Sequence, residues 1–259
     1  MQSWFAAWLA LPVFAVFASL FIVYLGAAAL IVWLCFRSKL SSRILSFKGV
    51  VSPFISSTGV IFGLLIAFLS NDIWDRNKQA ERIVSLESET LIALYSLSAA
   101  SGTDNRNLRT AIRAYVNAVV DDEWARLAVQ QRSAKADAAL NALLREVAQP
   151  SNAKDASVQR TMLDMALKVH TAHEDRIALS NDRTVVTKWA AVLLLALITQ
   201  ISIAVVHLER PRPQVAALTI FTVAAVLLLG LLAVHEAPFE PPVFVPPGPI
   251  ADVLTQVPK

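Results

Sequence analysis

The sequence predicts an all-α integral membrane protein, with four transmembrane helices and a helical domain inserted between the second and the third. Of its 259 residues, 56% are hydrophobic and only 17% are charged, which is too apolar for an ordinary soluble domain of this length. Four apolar runs come close to or exceed the roughly 20 residues that a helix needs to cross a bilayer. No run alternates apolar and polar residues as a strand does, so we expect no sheet.

The four predicted spans follow from hydropathy alone. The first covers residues 12–36, which include no charged side chain, and the second covers residues 50–73. The third and fourth cover residues 189–207 and 215–234, and the short segment between them predicts an antiparallel pair. Each run is long and apolar enough to be read as a membrane-spanning helix.

The segment 74–188 is predicted to form a helical extramembrane domain. Between Asp75 and Lys188 it has 16 basic and 15 acidic residues, a near balance typical of a solvated helical bundle. No Pro or Gly lies between Lys78 and Ala100, so the second span should continue as one helix into this domain. The tail, residues 235–259, is rich in proline, and we expect it to be extended or polyproline-like.

The charges of the short loops indicate on which side of the membrane the helical domain lies. Those two loops hold six basic residues against one acid: Arg37, Lys39, Arg43, Lys48, Arg210 and Arg212 against Glu209. Because cytoplasmic loops are enriched in Lys and Arg, this favours a domain outside the cytoplasm. An equal number of basic residues flanks the membrane on the domain side, which weakens the inference: Arg76, Lys78, Arg82, Arg176, Arg183 and Lys188.

Several function classes are excluded by what the sequence lacks. A net charge of +3 gives no basic field for nucleic acid, and Cys35 is the single cysteine. We find no catalytic motif, so we predict a non-enzyme with no catalytic residues, no metal and no cofactor.

His170, His173 and Glu174 place two imidazoles one helical turn apart, but on a polar helix without a third ligand of defined spacing. The acidic run of Asp121, Asp122 and Glu123 is more typical of a solvated helix face than of a cation site.

The second span carries two stripes that share a helical spacing of four residues. Val60, Leu64 and Phe68 form a bulky apolar stripe, and Gly59, Gly63 and Ala67 form a small one beside it. Small residues at this spacing let membrane helices approach closely. The bulky stripe suits either contact with lipid or a hydrophobic constriction that faces an axis.

Polar residues mark the membrane edge of the second span and the interior of the third. Asn71 and Asp72 end the second span, and Arg76 follows one turn later, where it can pair with Asp72. Polar side chains inside the third span are expected to hydrogen-bond across helices rather than to bind substrate: Thr199, Gln200 and Ser202.

Several motifs resemble those of a known family. They are the exit WDR at Trp74 to Arg76, the ESE stretch before LIALY at Glu87 to Tyr95, and AYVNAVVDDEW at Ala114 to Trp124. With the four-span plan, they make the whole chain similar to the bestrophin-like bacterial membrane proteins of unknown function. The segment from Ser52 to Glu81 also resembles, more distantly, the second membrane helix of bestrophin ion channels.

The resemblance implies a multi-pass protein of the bacterial inner membrane that forms homo-oligomers, with five subunits as in bestrophins, and conducts inorganic ions. Val60, Leu64 and Phe68 match the positions that line the hydrophobic neck of bestrophins. It also implies a cytosolic inserted domain, which opposes the charge of the short loops. The calcium-binding acidic clasp of animal bestrophins has no counterpart in the Pro-rich tail. The alternative is a membrane-anchored helical sensor or scaffold without transport activity.

Overall fold

A computed structural model describes residues 2–47, 49, 53–101, 106–149 and 156–257, and within those residues the secondary structure is entirely helical. We number the α-helices along the chain: α1 Gln2–Leu9, α2 Val13–Phe36, α3 Ser41–Ile44, α4 Pro53–Ala100, α5 Arg106–Ala118, α6 Trp124–Leu127, α7 Ala134–Val147, α8 Ala156–Asn181, α9 Val186–Val206, α10 Pro211–Val234 and α11 Gly248–Gln256. A 3₁₀ turn at Leu45–Phe47 follows α3, and a π-helical segment at Val119–Glu123 joins α5 to α6.

Four of these helices are long and apolar enough to cross a membrane: α2, α4 from Ile55, α9 and α10. The predicted four-span, all-helical fold is therefore confirmed. The predicted start of the second span at Val50 and the loop residue Lys48 lie outside the described residues.

The chain divides into two compact units. The membrane unit comprises Met1–Trp74 and Thr184–Glu236, and the helical unit comprises Asp75–Arg183 and Ala237–Lys259. In sequence, the helical unit therefore includes the tail as well as the segment inserted between the second and third spans. Helix α4 contributes residues to both units.

Close packing and buried polar bonds hold the membrane unit together. The Tyr24 hydroxyl on α2 donates to the Leu193 carbonyl on α9 at 2.9 Å. The Gln200 amide donates to the Tyr24 carbonyl at 3.0 Å and to the Thr222 hydroxyl at 2.8 Å, so it links α9 to both α2 and α10. Interhelical bonding is thus confirmed for Gln200, whereas Thr199 and Ser202 donate to carbonyls of their own helix.

The helical unit packs an apolar core between α4, α5, α7 and α8. The apolar face of α5 is buried, with Leu108, Ile112 and Tyr115 at most 1% exposed. Ser133 caps α7 as a helix-start residue should, because its hydroxyl accepts from the Ala136 amide at 3.0 Å. The apolar face of α5 and the cap of α7 therefore help to position the helices that surround the buried charges of this unit.

The tail is not simply extended, so that expectation was wrong for α11. Ile250, Val253 and Val257 are fully buried in the core of the helical unit. The Arg113 guanidinium on α5 donates to the Leu254 and Val257 carbonyls at 3.1 and 2.6 Å, which satisfies the last turn of α11. The amphipathic helix begins at Gly248 and holds Pro249 in its first turn, where a helix tolerates a missing N–H, and tertiary burial stabilises that helix.

Candidate functional site

The bulky stripe of α4 faces away from its own chain. Val60, Leu64 and Phe68 are 68%, 55% and 60% exposed, whereas Phe62 and Ile66 are buried in the core of the membrane unit. Leu64 is two residues from both Phe62 and Ile66, and two residues turn an α-helix by about 200°. The stripe therefore lies on the side of α4 opposite to the side that packs within this chain.

The small stripe is equally open. A Cβ atom added to Gly59 or Gly63 would meet nothing within 4 Å, and Ala67 is exposed. These positions therefore leave a shallow surface on which another helix could lie closely.

The polar residues after this stripe have partners elsewhere in the sequence. Lys188 donates to the Asp72 carboxylate at 2.5 Å, so the acid pairs with the start of α9 rather than with the predicted partner Arg76. Asn71 is exposed. Arg76 is buried in the helical unit and donates to the Asp182 carbonyl at 3.3 Å. The sequence could not supply these pairings because Lys188 and Asp182 are more than a hundred residues away.

A buried charge cluster occupies the centre of the helical unit. Arg176 on α8 is fully buried, and its two terminal nitrogens donate to Glu87 on α4 and to Glu123 in the π-helical segment. Both glutamates are also fully buried. The Arg176 guanidinium carbon lies 5.3 Å from the ring centroid of Trp124, which adds a cation–π contact. One cation thus holds three helical segments together.

Tyr115 and His173 extend this cluster. The Tyr115 hydroxyl donates to Glu87 at 2.5 Å and lies 3.2 Å from Nδ1 of His173. Because Arg176 can only donate, its 3.3 Å contact with His173 makes Nδ1 the acceptor. The Nε2–H then donates to Asp137 at 3.2 Å. We assign His173 as the neutral Nε2–H tautomer on this pattern.

Burial and ion pairing shift the pKa values of these groups in opposite directions. Burial raises the pKa of Glu87, although Arg176 and Tyr115 oppose the rise. Burial likewise lowers the pKa of His173, despite the Glu123 and Asp137 carboxylates beside it. For Asp137, burial is outweighed by the hydrogen bonds from Arg132 and His173, which lower its pKa. The cluster therefore combines a buried guanidinium and two buried carboxylates that bond it with a neutral imidazole at its edge.

Sequence reasoning missed this cluster, and it misplaced Glu123 and His173 on solvated faces. Both residues are 0% exposed. A signal was available, because Tyr115, Val119 and Glu123 recur every four residues, and Val169, His173 and Arg176 share one face of α8. A charged residue that continues an apolar stripe on a helix indicates burial against a partner. The composition of the acidic run around Glu123 indicates a solvated face instead, because composition ignores which face each residue lies on.

The structure supplies the third ligand that the His173 and Glu174 pair lacked in the sequence, in the form of Asp137. Arg132 already lies at this group, donating to Glu174 at 2.5 Å and to Asp137 at 3.2 Å. A guanidinium that bonds both carboxylates takes the position a metal would need. The residues present therefore favour an ion-pair network over a metal centre.

Comparisons with known proteins identify the family. The family profile described as the bestrophin-like domain matches residues 22–250. The chain belongs to the bestrophin-like family. Its fold is similar to the crystal structure of a bacterial bestrophin homolog from Klebsiella pneumoniae, with a TM-score of 0.66 at 11% sequence identity, over 90% of this chain and 98% of that chain. No curated protein matches the chain in sequence.

The motifs that carried the resemblance have a structural explanation in this bestrophin-like chain. Glu87 of the ESE stretch, with Tyr115, Glu123 and Trp124 of AYVNAVVDDEW, surrounds Arg176. All of these residues lie within the matched span. Two of the three motifs, ESE and AYVNAVVDDEW, thus supply residues of one buried cluster, whereas the exit WDR lies outside it.

Proposed function

We propose that this bestrophin-like protein is a homo-oligomeric ion channel of the bacterial inner membrane, in which α4 lines a hydrophobic neck. The observation that supports it is the open side of α4, where Val60, Leu64 and Phe68 are exposed and lie opposite the side used for packing within the chain. The neck positions of bestrophins match these three residues, and five subunits around an axis would turn them inward.

The two stripes suit different neighbours. Gly59, Gly63 and Ala67 let the helix of an adjacent subunit approach, since no atom lies within 4 Å of an added Cβ at either glycine. The bulky stripe then faces the axis, where a ring of apolar side chains closes a narrow pore by excluding water. Inorganic ions would cross only while the neck is wet.

Replacing Phe68 with Ala tests the neck. The change removes the largest apolar side chain of the stripe, so we expect the neck to wet more easily and ion flux through reconstituted liposomes to rise severalfold. Phe14→Ala is the matched control, because Phe14 on α2 is 83% exposed and lies outside the stripe. The size of the detergent-solubilised particle is measured for both variants.

Two outcomes would contradict the proposal. A Phe68→Ala protein that assembles normally and conducts no better than the Phe14→Ala control rejects the neck assignment. Sealed vesicles with a monomeric or dimeric wild-type particle instead support a membrane-anchored sensor or scaffold. The near balance of charges in the helical unit favours that rival, because it offers no evident charged ring for selecting ions.

We also propose that the helical unit is cytosolic, as in bestrophins, against the basic charge of the short loops. The test uses Ala134→Cys at an exposed position of α7, in a Cys35→Ala background that removes the native cysteine. Labelling by a membrane-impermeant thiol reagent only after the inner membrane is broken supports this orientation. Labelling of cells with an intact inner membrane reverses it.

A further inference from the structure

A groove between α2 and α10 of the membrane unit has no assigned role. Its volume is about 570 Å³, within the range of about 300–1,000 Å³ typical of ligand pockets. Apolar side chains and Thr219 line most of it, and Arg37 lies among the lining residues: Leu25, Ala28, Ala29, Val32, Trp33, Phe36, Arg37, Pro211, Val215, Leu218 and Thr219. The groove is thus apolar along its length, and its cation follows the last residue of α2.

The length of the groove matches one leaflet of a bilayer. From Leu25 to Phe36, at 1.5 Å per residue, α2 rises about 17 Å. A hydrocarbon core of about 30 Å gives each leaflet about 15 Å. Arg37 follows Phe36 directly, so the guanidinium lies at headgroup level when the apolar part of the groove lies among acyl chains. Among the described residues, no carboxylate forms an ion pair with Arg37.

We propose that this groove binds an anionic phospholipid, with one acyl chain along α2 and α10 and the phosphate at Arg37. The charges select this occupant over a second copy of the chain. The two short loops at this end carry six basic residues and one acid, so another copy would bring like charge to Arg37. An anionic headgroup, whose phosphodiester has no neighbouring ammonium to offset it as in phosphatidylcholine, supplies the missing negative charge, and an Arg binds the phosphate in a planar, two-pronged geometry.

The site is independent of ion conduction, and so is its test. Purified wild-type protein is mixed with phosphatidylglycerol and phosphatidylcholine that carry identical acyl chains, and bound lipid is measured by native mass spectrometry. We expect phosphatidylglycerol to bind more tightly. Arg37→Gln should weaken its binding about fivefold, to the level of phosphatidylcholine, because one basic residue at a membrane surface contributes about that factor. Arg43→Gln, a basic residue of the same loop outside the groove, should have little effect.

A second variant tests the acyl chain rather than the headgroup. Ala29→Phe fills the groove and should reduce binding of both lipids, whereas Val23→Phe, on the same helix but outside the lining, should not. Particle size and melting temperature report whether each variant is folded. The proposal is overturned if both lipids bind equally, if the Arg37 and Arg43 variants behave alike, or if the Ala29 and Val23 variants do. Free oleate that binds as tightly as phosphatidylglycerol would identify a carboxylate amphiphile and also overturn the phospholipid assignment.

Discussion

Replacing Arg176 with Met should destabilise the helical unit more than any exposed charge change. The thioether keeps much of the side chain's length and its packing against Trp124, but removes the cation that bonds Glu87 and Glu123. Both carboxylates are fully buried, so water cannot replace the lost partner. Breaking a buried ion pair by removing one partner costs about 3–5 kcal/mol.

The cost should depend on pH in a defined direction. An unpaired buried carboxylate avoids its penalty by binding a proton, and at pH 7 protonating a glutamate with an ordinary pKa costs about 3.7 kcal/mol. At pH 5 the same protonation costs about 1 kcal/mol. The folded variant therefore binds more protons than the unfolded chain, and its loss of stability relative to wild type should shrink as the pH falls.

The assay is thermal unfolding of the full chain in detergent, followed by near-ultraviolet circular dichroism, with hydrogen exchange of peptides around Glu87 and Arg176. A loss of this size should lower the melting temperature by about 10 °C at pH 7. Arg126→Met is the control, because Arg126 pairs with Asp122 at the surface, where such pairs contribute about 0–1 kcal/mol. Adding Glu87→Gln and Glu123→Gln to Arg176→Met should recover much of the loss.

Two results would refute the reasoning. One is a melting temperature for Arg176→Met within the range of the Arg126→Met control. The other is a large loss that does not change between pH 7 and pH 5 and is not recovered by the two glutamine changes, which would indicate lost packing rather than stranded charge.

Two further predictions concern the rest of the molecule. Burial lowers the pKa of His173, so as the pH falls below about 6.5 the unfolded chain binds a proton at His173 before the folded chain does. Acidification toward pH 5 should therefore destabilise the wild-type protein. His173→Gln should reduce the slope of melting temperature against pH there, and an unchanged slope would contradict the assignment of a neutral imidazole. Gly230→Ala on α10 would place a Cβ 2.4 Å from the Phe17 ring and should cost about 1–3 kcal/mol in a thermal melt, whereas Gly26→Ala, with nothing within 4 Å, should be tolerated. Equal melting temperatures for the two alanine variants would show that the Phe17 ring moves aside freely.

For the buried charge cluster, local sequence patterns predict burial but do not predict which residues pair. The spacing of Tyr115, Val119 and Glu123 places a carboxylate on the apolar face of its helix, so burial of Glu123 could be read from the sequence. Its partner could not, because Arg176 is 53 residues away and Glu87 is 89 residues from the same arginine. Nothing in the local spacing around Asp72 points to Lys188 rather than Arg76 either.

The sequence by itself determined the class of protein, the four membrane helices and the family. Hydropathy decides the class and the spans because transfer of an apolar segment into a bilayer depends on that segment's own composition, whatever it later contacts. The family follows from local motifs, which can likewise be read without a partner. Only the tertiary structure decided that Glu87, Glu123 and Arg176 pair, that the tail returns as α11 to the core, and that α2 and α10 leave a groove ending at Arg37. These features depend on which distant side chains meet, and the free energy of a buried charge or a packed helix is set by that partner rather than by its neighbours in sequence.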